Sequence, residues 1–196
     1  MLPKKPLKIV LTGGPGAGKT AVLELCRTEF TDRIVIVPEA ATLLYGGGFP
    51  RYANHNGVKC AQESIYFIQK KLEEMQALHF PKASLLCDRG TLDGAAYWPK
   101  GPKNFFKSLK TTLKKELAGY DAVLFLQSAA AHGDCIRSGN LCRTESPEEA
   151  VKLDNKLKRL WSKHPHFHFV PCQTTLELKI QISRAAFEKV LATRQK

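Results

Sequence analysis

Gly13-Gly14-Pro15-Gly16-Ala17-Gly18-Lys19-Thr20 meets the pattern GxxxxGK(S/T) at every required position. The pattern has a physical meaning. Main-chain N–H groups wrap a polyphosphate, and glycines let the backbone curl tightly enough for those groups to converge. Lys19 then reaches the β- and γ-phosphates as a point charge, and the Thr20 hydroxyl is placed to ligate Mg²⁺. The flanks agree: Leu7-Lys8-Ile9-Val10-Leu11-Thr12 is an apolar, β-rich run, and Ala21-Val22-Leu23-Glu24-Leu25-Cys26 continues as a helix. Phosphate would thus arrive at a helix N-terminus. The order of strand, loop and helix predicts a nucleoside triphosphate site on Gly13, Gly14, Gly16, Ala17, Gly18, Lys19 and Thr20.

Outward from this loop, strands alternate with helices. Ile34-Val35-Ile36-Val37 is a continuous β-branched run of the kind expected for a central parallel strand, and it ends in Pro38-Glu39-Ala40-Ala41. Gly46-Gly47-Gly48-Phe49-Pro50 is a pliable loop, either a plain connection or a flap over substrate. From about Val58 to Phe80, Ala61, Ile65, Ile68, Leu72, Met75 and Leu78 recur every three or four residues, which predicts a long amphipathic helix buried on that face and stopped by Pro81. Ala83-Ser84-Leu85-Leu86-Cys87 is a third strand, ending in Asp88-Arg89-Gly90. A basic helix is expected near 103 to 118 and a fourth strand at Ala122-Val123-Leu124-Phe125-Leu126. Ser146-Pro147-Glu148-Glu149 reads as a capping box opening a helix whose inner face is Ala150, Leu153, Leu157, Leu160 and Trp161. Phe167-His168-Phe169-Val170 is a fifth strand. The tail from about Thr174 to Thr193 fits either period, and its length favours a helix.

These elements predict an α/β, three-layer P-loop NTPase fold. It has a five-stranded parallel sheet, helices on both faces, right-handed crossovers and ligand-binding residues at the strand carboxyl ends. Residues 1–196 are expected to form one domain with a small lid-like segment at about 127–145. Three strands then end in polar groups on one rim: the first in the phosphate loop, the second in Glu39, the third in Asp88 and Arg89. Phosphoryl transfer asks for in-line positioning, a metal bridging the phosphates, cations for developing charge, and a carboxylate for the acceptor's proton. Asp88 is the candidate Mg²⁺ ligand and Glu39 the candidate general base or acceptor contact, with the division between them open. Arg89 would pair with a carboxylate or grip the acceptor. In the lid-like segment Arg143, and after it Arg137, are candidates to swing onto the phosphates.

Composition narrows the class. The chain has 196 residues, 43% of them apolar and 24% charged, enough for a sizeable core. It has no apolar run of the roughly 18 residues that span a bilayer, and Met1-Leu2-Pro3-Lys4-Lys5-Pro6 lacks an apolar leader core, so a cytoplasmic location is expected. Six scattered cysteines without a C-x-x-C pair read as reduced thiols; Cys135 and Cys142 near His132 have no recognisable ligand spacing. The other histidines read as surface or strand-face residues. Lys and Arg outnumber Asp and Glu by 30 to 18, a formal charge of +12 that favours anionic partners. Lys100, Lys103, Lys107, Lys110, Lys114 and Lys115 form a solvated helix face or a surface for nucleic acid or acidic lipid.

The order of the phosphate loop, Val37-Pro38-Glu39-Ala40-Ala41, the helix with Phe67 and Gln69, Asp88-Arg89-Gly90 with Asp93 and Tyr97, and Arg143 before Leu153-Asp154 spans nearly the whole chain. In that order it resembles the NadR-like P-loop family of ATPases and kinases, similar to nicotinamide riboside kinases. More distantly it is similar to nucleoside and thymidylate kinases. The resemblance implies nucleotide binding at Gly13 through Thr20, catalysis or Mg²⁺ binding at Glu39 and Asp88, and acceptor contact at Arg89, Asp93 and Tyr97. Where family members often carry an arginine shortly after Pro-Glu-Ala-Ala, this chain has Thr42.

The leading expectation is a Mg²⁺-dependent kinase passing the γ-phosphate of ATP to a small, nucleoside-like hydroxyl acceptor. Its rivals are a nucleotide-dependent switch engaging RNA, lipid or protein through the basic face, and a polynucleotide 5′-kinase. Lack of an N-K-x-D guanine signature favours ATP over GTP, and the sequence sets no oligomeric state.

Overall fold

The computed structural model describes residues 6–132 and 146–192. Strands β1 (Lys8–Thr12), β2 (Ile34–Val37), β3 (Ser84–Asp88), β4 (Ala122–Leu126) and β5 (Phe167–Val170) form one sheet in the order β2-β3-β1-β4-β5, with every neighbouring pair parallel. This is the P-loop NTPase-like α/β arrangement. It has a direct consequence for the site: β3 lies between β1 and β2, so the three marked strand ends are neighbours. Leu11 pairs in register with Asp88, and Val37 with Cys87.

Helices α1 (Lys19–Glu29), α2 (Ala40–Gly46), α3 (His55–His79), α4 (Gly94–Tyr97), α5 (Gly101–Ser108), α6 (Leu113–Leu117), α7 (Pro147–Trp161) and α8 (Leu176–Ala192) pack around the sheet. Strand side chains alternate between its faces. Ile9, Leu11, Leu86, Leu124 and Leu126 meet Val22, Cys26 and Phe30 from α1 and its end, with Phe187 and Val190 of α8. Val10, Leu85, Cys87, Val123 and Phe125 meet Tyr66, Phe105, Leu157 and Trp161 on the other face. Each large apolar side chain buried this way contributes roughly 1.5–3 kcal/mol.

Four expectations change. Ile34–Val37 is an edge strand with β3 on one side, not a central strand. Its run is apolar because helices cover both faces: Ile34 sits in the core of α1 and α8, and Val37 in the opposite core with Tyr66 of α3. The long helix is present, but its buried face is rotated from the apolar stripe. Ala61, Gln62, Tyr66, Gln69 and Glu73 are buried, while Met75 is 64% and Leu78 76% exposed. Hydrogen bonds offset the desolvation of that polar face: Glu73 accepts from Lys8 Nζ at 3.0 Å, Tyr120 Oη at 2.8 Å and Gln69 Nε2 at 3.1 Å, and Tyr66 Oη donates to Glu116 at 2.9 Å.

The basic helix is two helices. Lys110 takes a left-handed φ of 50°, and the Thr112 side chain caps α6 by accepting from the Lys115 amide. All six lysines of that face are exposed. His164, expected at the surface, is buried with Nε2 3.0 Å from the Tyr120 carbonyl oxygen. The capping box at Ser146 and the inner face of α7 are as expected, and the ambiguous tail is the helix α8. No described helix is long and apolar enough to cross a membrane.

Candidate active site

The loop from Gly13 to Gly18 joins β1 to α1, and Gly18 stands at the helix N-cap with φ 83°, a conformation glycine adopts at little cost. Lys19 opens α1 and is buried; its ammonium donates to the Gly13 and Gly14 carbonyls at 3.1 and 3.4 Å. Thr20 is exposed beside it. A cation is thereby held at the mouth of the loop, where a polyphosphate's charge would lie.

Beside the loop, the acidic residues converge as the strand order requires. Glu39 is the N-cap residue of α2. Its Oε1 accepts from Arg89 Nε, and its Oε2 accepts from Thr42 Oγ1 at 2.6 Å. Burial pushes the Glu39 carboxyl up, but the Arg89 guanidinium, the Thr42 hydroxyl and Lys19 outweigh it and bring the pKa down to about 2. Glu39 is thus a firmly ionised acceptor in this arrangement, suited to receiving a hydrogen bond rather than holding a proton at neutral pH.

Asp88 behaves in the opposite sense. Burial raises its carboxyl from 3.8 to about 6 despite the cations Lys19 and Arg89, with the charges of Glu39 and Asp93 adding to the rise. Its Oδ1 is buried and has no hydrogen-bond partner among the described residues. A buried carboxylate oxygen without a donor, next to a phosphate loop, is a chemical fit for a hard divalent cation. With the Thr20 hydroxyl in the first turn of α1, directly after Lys19, the donor chemistry fits Mg²⁺.

Arg89 links the carboxylates. It takes a left-handed φ of 67°, a strained choice for a non-glycine residue. Its Nη1 donates to Asp93 Oδ2 at 3.0 Å while its Nε holds Glu39. Asp93 in turn accepts from Thr12 Oγ1 at 2.8 Å and from Trp161 Nε1 at 2.6 Å. Gln69 Nε2 reaches the Arg89 carbonyl at 3.4 Å. Trp161 closes over the same turn: a Cβ at Gly90 would lie 2.8 Å from its ring.

A cavity of 540 Å³, within the usual range for small-molecule sites, opens between Pro15 of the loop, α2, α3 and the Arg89 turn. Glu39 and Arg89 stand in its wall with Tyr45, Gln62, Gln69 and Tyr97, and the Arg51 guanidinium lies over the Tyr45 ring at 4.6 Å. A second cavity of 660 Å³ involves Leu7, Ala122 and His166, near the opposite ends of the strands.

Comparison with known proteins agrees with this geometry. The model of the AAA_28 family, described as AAA domain, matches residues 8–178. The chain belongs to this family. Among solved structures, this AAA-family chain is similar to deoxyadenosine kinase from M. mycoides with bound dATP, at a TM-score of 0.63 and 15% identity over 93% of this chain and 99% of that one. At that identity the likeness shows the fold. None of the curated proteins matches the sequence.

Within this AAA-family site, the structure brings Gly13 through Thr20, Glu39, Asp88, Arg89, Asp93 and Tyr97 to one rim. Asp93 lines the cavity with Glu39, Arg89 and Tyr97, and its largely buried carboxylate also accepts hydrogen bonds from Thr12, Trp161 and Arg89. Arg137 and Arg143 lie outside the described residues, as do Cys135 and Cys142 and most of the lid-like segment. Thr42, noted as a departure from the family pattern, is a partner of Glu39. Sequence reading missed α2, Thr12, Trp161 and the wall residues Tyr45, Gln62 and Arg51. Single tyrosines, glutamines and tryptophans carry no spacing signal; the nearest one is the pliable loop from Gly46 to Pro50, read as a connection or a flap, which joins the wall residues Tyr45 and Arg51.

Proposed function

We propose that this protein is a Mg²⁺-dependent kinase that transfers the γ-phosphoryl of ATP to a hydroxyl of a small, nucleoside-like acceptor seated in the cavity beside the loop. The observation that carries the reading is the position of Glu39 and Arg89 in the wall of a 540 Å³ cavity that begins at Pro15 of the phosphate loop. A simple NTPase needs only water there, whereas this cavity has room and polar groups for an organic acceptor. Likeness in fold to a deoxyadenosine kinase supports the same class.

In this reading the acceptor oxygen forms a bond to the γ-phosphorus as the bond to the β–γ bridging oxygen breaks, and ADP leaves with that electron pair. Glu39 accepts a hydrogen bond from the acceptor hydroxyl and orients it in line; as the new bond forms, the hydroxyl proton passes to Glu39 and from it to solvent. Lys19 neutralises charge on the β- and γ-phosphates. Asp88 and Thr20 would hold Mg²⁺, which would supply positive charge to offset that of the phosphates. Arg89 fixes Glu39 and faces the acceptor, with Tyr97 beside it at 5.9 Å from guanidinium to ring centre. Arg143 and Arg137 enter as donor-side arginines on the strength of the sequence alone.

Labelled-ATP transfer tested against a panel of nucleosides and vitamins checks the proposal. Transfer to one class of acceptor is expected, with Glu39→Gln and Asp88→Asn each lowering kcat by roughly 10²-fold or more. Unchanged turnover in both variants refutes the assigned roles, and nucleotide binding without transfer to any hydroxyl refutes the kinase.

A further inference from the structure

The phosphate loop is held from outside by a residue that its motif does not contain. Asp154, in the second turn of α7, is buried, and its Oδ1 accepts from the Gly14 amide at 2.7 Å and from the Ser128 amide at 3.2 Å. Ser128 follows β4, and its hydroxyl donates to the Pro15 carbonyl oxygen. One carboxylate oxygen therefore joins the loop after β1 to the turn after β4. The approach is so close that a Cβ on Gly14 would lie 2.7 Å from Asp154 Oδ1 and 2.8 Å from Asp154 Cβ. Gly14 does not have a left-handed φ. Glycine is required at this place in the motif by the neighbouring helix, not by the twist of the loop.

We propose that Asp154 is the positioning residue of the phosphate loop, setting the height of its first turn so that the later amides and Lys19 converge on a nucleotide's phosphates. α7 suits the task because it cannot easily shift. Leu157 and Trp161, one and two turns further on, are fully buried in the core under β1, β3 and β4. Seven residues beyond Asp154, Trp161 gives the Arg89 turn an equivalent support through Asp93 and Gly90. The proposal rests on Gly13 through Thr20 being a nucleotide site, not on the identity of the acceptor.

Calorimetric titration of ATP with Mg²⁺, with a thermal unfolding curve for each protein, tests it. Asp154→Leu leaves two buried N–H groups without an acceptor and should weaken binding roughly 5- to 150-fold, the equivalent of about 1–3 kcal/mol. Asp154→Asn keeps a carbonyl oxygen in place and should stay within about threefold of wild type. Leu157→Ala opens a core cavity one turn from Asp154 while Trp161 still anchors the helix; it should lower the melting temperature and leave affinity within about twofold.

Gly14→Ala should weaken binding in the wild-type background and cost at least about threefold less in Asp154→Gly, where Oδ1 and Cβ are gone and only Cα, at 3.2 Å, stays close. That cycle decides the matter if Asp154→Leu fails to fold. Equal cost of Gly14→Ala in both backgrounds, wild-type affinity in folded Asp154→Leu, or an equal loss in Leu157→Ala overturns the assignment. A wild-type protein that binds neither ATP nor GTP with Mg²⁺ overturns the nucleotide reading and this proposal together.

Discussion

Replacing Asp88 by asparagine should make the ligand-free protein more stable at neutral and alkaline pH while abolishing its response to Mg²⁺ with nucleotide. Burial raises the Asp88 carboxyl from 3.8 to about 6. With the folded pKa above the unfolded one, the protonated group contributes stability that is present in full below about pH 3.8 and is lost as pH rises through about 6. A rise of about two units at 1.36 kcal/mol each makes that contribution about 3 kcal/mol. Asparagine keeps the shape without the charge, but leaves an amide unpaired near where Oδ1 has no partner, at a cost of about 1–2 kcal/mol.

The net expectation is a gain of about 1–2 kcal/mol at pH 8, or about 2–8 °C for a chain of this size, and no gain at pH 4.5. Urea denaturation of both proteins across that range measures it. In parallel, ATP with Mg²⁺ at a hundredfold over its dissociation constant should stabilise the wild type by about 2.7 kcal/mol, and the variant's shift should be smaller and independent of Mg²⁺. A variant less stable than wild type at pH 8, or a difference that does not change with pH, refutes the reasoning. Asp88 would then carry no electrostatic strain for a cation to relieve.

Glu39→Gln should move stability the other way. Its carboxyl lies at about 2 in the folded chain against 4.5 ordinarily, so the Arg89 pair contributes stability above pH 4.5 that disappears as pH falls through about 2. A loss of about 2–3 kcal/mol at pH 7 is expected in urea, and a neutral result would show the pair to be no better than a solvated one. Trp161→Phe removes the indole N–H from Asp93, a hydrogen bond to a charged group worth about 1.5–3 kcal/mol, and also withdraws the Cζ2 and Cη2 atoms that pack against Gly90, so at least that loss is expected. Chemical denaturation reads this directly, and a change below about 0.5 kcal/mol would mean that solvent or Thr12 replaces the indole.

The sequence by itself determined the fold class and the centre of the site. Periodicity and the glycine motif mark β1, the loop and α1. Strand runs place polar residues at three carboxyl ends, and the capping box at Ser146 sets the start of α7. These signals are local: they depend on backbone conformation, on which residues a strand or helix accepts, and on spacing that the chain writes directly.

Tertiary structure decided what depends on pairing across distance. The strand order, with Ile34–Val37 at the edge and β3 against β1, turns three separate strand ends into one rim. The face that α3 buries is chosen not by its apolar stripe but by hydrogen bonds that Glu73 accepts from Lys8 and Tyr120, groups 65 and 47 positions away along the chain. The opposite pKa shifts of Glu39 and Asp88 come from what surrounds two otherwise similar carboxylates: Arg89 and Thr42 hold one, and burial without a donor to Oδ1 isolates the other. Charge, desolvation and contact are properties of neighbours in space, and no pattern along the chain reports them until the sheet has brought those neighbours together.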